Sequence, residues 1–255
     1  KSVWTYLEDW KKLTERIGFW VDLEHPYVTY YNEYMESLWW VVKHIHERGL
    51  LYQGYKVVPY CVRCGTVLSS HELAQGYTDV EDISVIWKFP LRDDPKTFFL
   101  AWTTTPWSTL STMGLSINPE ATYLKVRVGD ENIIFAKSRL EFVLAGMTDY
   151  KIVEEIPGTK LVGLHYEPIV AAYKNIPEVQ SNANVYQVFA ADYVELTEGT
   201  GIVTINGSYG EIDMVAARKN GLPIVMDVDL QGKFTAVAGA YAGTLVHDVT
   251  TLLVK

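Results

Sequence analysis

The sequence predicts an α/β chain: a helical segment over residues 1–77, then a β-barrel-like domain with a few covering helices over residues 78–255. Two textures carry this division. Before residue 50 the apolar residues recur at the spacing of one helix face. After residue 84 they fall into short, evenly spaced runs separated by Gly, Pro, Asn and Asp, as in a many-stranded barrel. An acidic joint from Asp79 to Asp82 lies between the two and places the boundary near residue 78.

Val3, Trp4, Leu7, Trp10, Leu13 and Ile17 predict a first helix over 2–17, stopped at Gly18. Pro26 marks a loop. Asn32 is placed to cap a second, stronger helix carrying Tyr34, Met35, Leu38, Trp39, Val41, Val42 and Ile45 and closed by Gly49. Both helices gather bulky aromatics on one face, so each is expected to pack against a larger body; Trp10, Trp39 and Trp40 would be exposed without it. Residues 55–60 read as a strand running into Cys61-Val62-Arg63-Cys64-Gly65, followed by Ser69-Ser70-His71-Glu72.

Beyond the joint, strands are expected over 84–89, 97–102, 114–117, 122–128 and 132–135, with turns at Asp93-Asp94-Pro95, Asn118-Pro119 and Gly129-Asp130. A short helix over 138–144 ends at Gly146, and a polar, Asn-rich loop covers 174–184. Strands follow over 185–190 and 201–205. A helix over 211–220 is closed by Gly221, with Pro223 just beyond it. A last strand, 224–228, leads into a hairpin-type turn over 229–232.

Composition narrows the function. At 48% hydrophobic residues, 255 positions can build a real core. A net charge of -9 argues against a general nucleic-acid binder, which would carry a basic face, while leaving room for a local basic pocket. Two cysteines three positions apart are no disulfide framework and fit a reducing, cytoplasmic setting. No run approaches the roughly 18 apolar residues of a membrane span. The chain lacks an initiator Met and begins within a helical pattern, so a segment of a longer protein is expected.

Three stretches could carry chemistry. Trp102-Thr103-Thr104-Thr105-Pro106-Trp107-Ser108 is a poor core segment: each hydroxyl needs a partner, and Pro106 breaks the strand before it. It is either a turn whose hydroxyls cap backbone groups or a row of hydroxyls presented to a ligand. Cys61-x-x-Cys64 has the spacing of half a tetrahedral zinc site, of a metal-free turn or, less well, of a redox pair. Residues 199–213 run from a strand into a helix N-terminus through Gly207 and Gly210. Asp213 falls in the first turn, as a helix-dipole partner or as a carboxylate facing a cationic amine. The six histidines are scattered, and there is no G-x-S-x-G, P-loop or G-x-G-x-x-G signature.

Together these stretches resemble the isoleucyl-tRNA synthetase family of class I aminoacyl-tRNA synthetases. Trp102-Thr103-Thr104-Thr105-Pro106-Trp107 resembles the threonine-rich motif of the family's editing domain; the sister valine and leucine enzymes usually carry Arg in place of Thr105. Thr200-Gly201-Ile202-Val203 with Gly210 and Asp213 resembles its second editing motif. Tyr27-Val28-Thr29-Tyr30 through Trp39-Trp40, residues 54–61 and Ser69-Ser70-His71-Glu72 resemble the segment leading from the catalytic core into that insertion. The resemblance implies an editing domain of the Val/Ile/Leu type, preceded by a connective segment with a zinc-knuckle-like turn. It also implies a remainder that holds the Rossmann catalytic core, its ATP site and the second CxxC of the Zn2+ site. ATP would not bind this portion.

The implied chemistry is hydrolysis of valine mischarged onto the acceptor end of tRNA(Ile), with no membrane involved. Asp213 would hold the α-ammonium, while Thr103, Thr104 and Thr105 position the terminal adenosine and the attacking water. Trp102, Ser108, Thr112, Thr204 and Gly210 would line the substrate, and Cys61 and Cys64 would bind metal. One methylene supplies only about 1–3 kcal/mol of discrimination, so a second, smaller site must remove the wrong product; this family is the worked example of that limit. The sequence departs from the family pattern at Ser108 (usually Thr), Thr112 (usually Asn), Thr204 (usually His) and Asn206-Gly207 (usually Ala-Pro). Thr for His removes a ring that would wall the pocket. A free-standing deacylase and an editing-inactive domain that only binds the acceptor end are the alternatives.

Overall fold

The computed structural model describes residues 2–253, and the chain divides into two compact units, Lys1–Tyr55 and Lys56–Lys255. Residues 56–77 thus group with the larger unit.

The first unit is helical. The expected helix over 2–17 is two, α1 (Ser2–Thr5) and α2 (Leu7–Arg16), parted at Tyr6, whose ψ of 15° leaves the helical range. The Val3 side chain lies outside those described. Gly18, at φ 83°, closes α2, and Gly49, at φ 68°, follows α3 (Asn32–Glu47); only glycine takes this conformation without cost. Asn32 is not the cap: it is already helical, and Tyr31 stands in the capping position without a side-chain bond. Edge-to-face pairs Trp4–Tyr30 and Tyr27–Tyr34 pin the loop before α3. No residue of α2 or α3 is buried. Trp10, Trp39 and Trp40 are 65%, 68% and 62% exposed, so their apolar faces are uncovered among the described residues.

The second unit opens with a hairpin, β1 (Tyr60–Cys61) and β2 (Thr66–Val67), then α4 (Ser70–Ala74), capped reciprocally by Ser69 and Glu72. The strand expected over 55–60 is confined to its last residue, because residues 55–59 have no partner strand. The strands that follow are β3 (Val85–Pro90), β4 (Thr97–Thr103), β5 (Gly114–Ile117), β6 (Thr122–Val128) and β7 (Glu131–Ala136). After α5 (Leu140–Val143) come β8 (Lys151–Pro157), α6 (Pro177–Gln180), β9 (Gln187–Ala190), β10 (Ile202–Ile205), α7 (Glu211–Lys219) and α8 (Val246–Leu253). Two mixed sheets result, in the orders β3-β4-β7-β6-β8 and β10-β5-β9. Pairs β4–β7 and β5–β9 are parallel and the rest antiparallel. Both sheets are open. Single bridges, Leu91 to Tyr166 and His165 to Gln187, stitch the chain beyond β3 towards β9, so the barrel-like reading reduces to two open mixed sheets. Residues 224–228 form no strand; only Val228 pairs, with Phe234, across the turn at 229–232. No described helix is long and apolar enough to cross a membrane.

The core sits beneath both sheets on Phe89, Phe99, Leu115, Ile117, Tyr123 and Ile205. Burying Tyr123 leaves its hydroxyl to satisfy, and it is placed to do so twice: it donates to the Gly201 carbonyl (2.8 Å) and accepts from the Asn118 N–H (2.9 Å). The Thr200 hydroxyl donates to the Leu100 carbonyl (2.7 Å), fastening the turn before β10 to the middle of β4. This pairing brings the threonine row and the second motif together across a hundred residues of chain.

Gly158 packs so that a Cβ would stand 2.4 Å from the Asn118 carbonyl oxygen and 3.0 Å from the Pro119 Cα, both backbone. We expect Gly158→Ala to cost about 1–3 kcal/mol in urea unfolding at an unchanged m-value. Gly146, at φ 76° with open space around it, should cost only about 1 kcal/mol on the same change. Equal losses at the two sites would contradict the packing.

Candidate functional site: a hydroxyl row and a half-buried carboxylate in one cavity

β4 ends at Thr103, and a 3-10 turn, Pro106–Ser111, begins three residues later with Pro106 at the position a proline suits. The hydroxyls between them form a chain. The Thr103 Oγ1 accepts from the Thr105 N–H (3.0 Å) and lies 3.2 Å from the Thr105 Oγ1, which is 3.0 Å from the Ser108 Oγ. The Ser108 hydroxyl also donates to the Thr105 carbonyl (2.8 Å). Thr104 is exposed beside them. The row therefore does both things the sequence left open: it braces its own turn and it lines a cavity of about 980 Å³ with Trp102, Thr103, Thr104 and Thr105.

The same cavity is lined from β10 and the loop into α7 by Val203, Thr204, Asn206, Ser208, Tyr209 and Asp213. Asp213 is the third residue of α7. Its carboxylate leans back over Gly210, where a Cβ would stand 2.4 Å from its Oδ2, so only glycine leaves it room. Burial alone pushes its pKa up to about 6, and no described cation forms an ion pair with it. It is thus a charge held at a cost, with no ion-pair partner among the described residues. Gly210 lines a smaller adjoining hollow of about 590 Å³ that shares Trp102, Val203 and Asp213 with the main cavity.

Of the expected residues, Trp102, Thr103, Thr104, Thr105, Ser108, Thr204 and Asp213 meet in the one cavity and Gly210 adjoins it. Thr112 does not: it is buried in the core with its hydroxyl unpartnered among the described residues. Asn206 does more than its standing as a departure suggested. Its amide donates to the Ser108 carbonyl (2.6 Å) and the Ser111 Oγ (2.7 Å), clamping the threonine turn to the end of β10. Tyr209 meets Trp107 edge to face, centroids 4.7 Å apart. His247 lines the cavity too, from α8, for which no element is predicted from the sequence.

Cys61 and Cys64 stand on the β1–β2 hairpin, whose Val62 and Val67 also line the cavity. The Cys64 N–H donates to the Cys61 Sγ (3.3 Å), which lowers the Cys61 pKa, while the neighbouring Cys61 sulfur raises that of Cys64. Two thiols fit half of a tetrahedral sulfur site. No third His, Cys, Asp or Glu among the described residues groups with them to hold a metal.

A family model described as tRNA synthetases class I (I, L, M and V) matches residues 1–227. The chain belongs to that family of class I tRNA synthetases. The isoleucine--tRNA ligase of Clostridium tetani is 42% identical over 254 residues, 100% of this chain and 24% of that protein. That of Clostridium novyi is 44% identical over 245 residues, 96% and 23% respectively. The chain thus spans about a quarter of the length of the curated relatives it matches. Among solved structures, the editing domain of the P. knowlesi cytosolic leucyl-tRNA synthetase aligns with a TM-score of 0.43 at 12% identity, over 70% of this chain and 94% of that one.

The raised Asp213 pKa has a stability consequence. In the folded chain it titrates near 6, in the unfolded chain near its ordinary 3.8, so the folded state binds more protons between those values. Its contribution is therefore destabilising, growing as pH rises through that window and complete above it. Asp213→Asn should stabilise the chain on the order of 1–2 kcal/mol at pH 7.5 and little at pH 4. Thermal unfolding at the two pH values checks this; a gain at pH 4 as large as at pH 7.5 would contradict it.

Proposed function

We propose that this cavity hydrolyses the ester of valine mischarged onto the acceptor end of tRNA(Ile), as the editing part, residues 78–255, of an isoleucine-tRNA ligase. The observation that carries the reading is the half-buried Asp213 carboxylate, with no ion-pair partner among the described residues, in the same cavity as the hydroxyl row. An aminoacyl ester offers Asp213 an α-ammonium and no competing carboxylate, so the site favours the ester over the free amino acid. The hydroxyls of Thr103, Thr104 and Thr105 can donate to and accept from a water and the terminal ribose. The water oxygen attacks the ester carbonyl carbon. The bond from that carbon to the ribose oxygen breaks, one water proton ends on the ribose hydroxyl, and valine leaves as the acid. No bond to the protein is needed; orientation of water against an activated ester supplies the acceleration.

Thr204 stands where the family usually has His, so we expect hydrolysis with relaxed selectivity for the acyl side chain. Charging itself, with its ATP, would belong to the Rossmann remainder, to which residues 1–77 connect. Cys61 and Cys64 would hold zinc jointly with a second Cys pair, and the metal would fix the hairpin beside the cavity. One observation favours the editing-inactive, binding-only reading: Thr103, Thr105 and Ser108 already bond to one another and to their own turn.

Deacylation of Val-tRNA(Ile) by the purified chain separates the two. Activity that falls about 10- to 100-fold in Asp213→Ala supports editing; binding without turnover in the unsubstituted chain leaves the binding reading. Thr204→His should raise the ratio of valyl to isoleucyl hydrolysis, and an unchanged ratio would remove the selectivity claim. For the metal, a chain extended past Lys255 to include a second Cys pair should bind more zinc by elemental analysis. No increase would rule out the shared site.

A further inference from the structure

Asp227 has no exposed surface, yet it carries a carboxylate. Each of its oxygens accepts from one phenol: Oδ2 from Tyr173 (2.5 Å), itself fully buried, and Oδ1 from Tyr209. Its backbone carbonyl accepts from the Thr235 N–H (2.8 Å), which fixes the segment that bears it. Burying a carboxylate is costly unless donors surround it, and two phenols are an expensive way to meet that need when an apolar side chain would have none. What the arrangement achieves is mechanical. Tyr209 belongs to the loop between β10 and α7, where a mobile ring would be expected; instead its hydroxyl is anchored to the core through Asp227 and Tyr173.

The same loop is fastened at two further points. The Ser208 hydroxyl donates to the Val225 carbonyl (2.6 Å), and the Asn206 amide holds the threonine turn. Tyr209, so held, lies edge-on to Trp107, and both rings line the cavity with the hydroxyl row and Asp213. Met226 and Val228, on either side of Asp227, line it as well, whereas Asp227 does not. Burial and the Asp227 charge both raise the Tyr209 hydroxyl's pKa, keeping it a proton donor to that carboxylate.

We propose that Asp227 is a positioning residue for this cavity: by holding the Tyr209 hydroxyl it locks the Tyr209–Trp107 wall, and that wall limits the size of the acyl group admitted. This rests on the editing reading given above. Where Thr204 leaves one side of the pocket without a ring, the anchored tyrosine supplies a rigid aromatic limit on another.

The test uses the full-length synthetase that contains this chain, with Asp227→Asn, Tyr209→Phe and the double variant, assayed on valyl- and isoleucyl-tRNA(Ile). Tyr209→Phe keeps the ring and removes only the anchor. If the wall is locked as proposed, each single variant raises kcat/KM for the isoleucyl ester and lowers valyl-over-isoleucyl discrimination by about tenfold, the size of one lost hydrogen bond to a charged group. The double variant should lose no more than either single one, because both act on the same charge-assisted bond, Asp227→Asn by removing its charge and Tyr209→Phe by removing its donor. A purely structural role would lower both esters in parallel. That result, an unchanged ratio or additive losses would overturn the proposal while valyl hydrolysis by the unsubstituted enzyme upholds the editing reading. Absence of hydrolysis in the unsubstituted enzyme would overturn both. Should Asp227→Asn fail to fold, Tyr209→Phe alone decides.

Discussion

The Asp213 carboxylate is the constraint around which the site is arranged. A charge drawn partly out of water, with burial as the sole cause of its raised pKa, costs folding energy at neutral pH. The surroundings accommodate it rather than neutralise it. Gly210 has no side chain, which leaves the carboxylate room to lean back over the helix start. The first turn of α7 places its N-terminal dipole nearby, which favours a negative charge without pairing it. The result is a carboxylate that stays available to an incoming cation.

The other contacts hold the threonine row and that charge in one cavity. The Thr200 hydroxyl joins the turn before β10 to β4, and Gly199, with φ 58°, tucks against the Trp102 ring, where a Cβ would lie 3.0 Å from it. Asn206 then ties the far end of β10 to the 3-10 turn after the row. The two motifs are thus fixed at both ends. The hydroxyl chain Thr103–Thr105–Ser108 stiffens the span between them. Preorganisation of this kind is what the proposed hydrolysis would need to orient a water molecule without a dedicated base.

Much of this was legible in the sequence. Strands β5 and β6 have the expected bounds, since their apolar runs end at turn residues. The helix α7 follows its Gly and Pro punctuation closely. The pairing of the threonine row with Asp213 was available only through the family resemblance, because spacing alone says nothing of what lies across a hundred residues. Strand β8 escaped notice because six of its seven residues are exposed and it carries no apolar alternation. Its place is set by pairing with β6 rather than by burial. The strand over 55–60 failed for the converse reason: its composition suits a strand, but no neighbour pairs with it. Thr112 was assigned by resemblance to the substrate, yet its backbone turns it into the core. The roles of Asn206 and Asp227 depend on side-chain bonds across 98 and 18 residues, which no local pattern encodes.

The central claim is that Asp213 waits for an ammonium group. It is tested most directly by following the Asp213 carboxyl carbon by NMR through a pH titration, with and without a non-hydrolysable amide analogue of valyl-adenosine. The account gives a midpoint of about 6 for the free chain. On binding, the midpoint should fall towards the ordinary carboxylate range as the α-ammonium favours the charged form. A midpoint that stays near 6 with the analogue bound would contradict it.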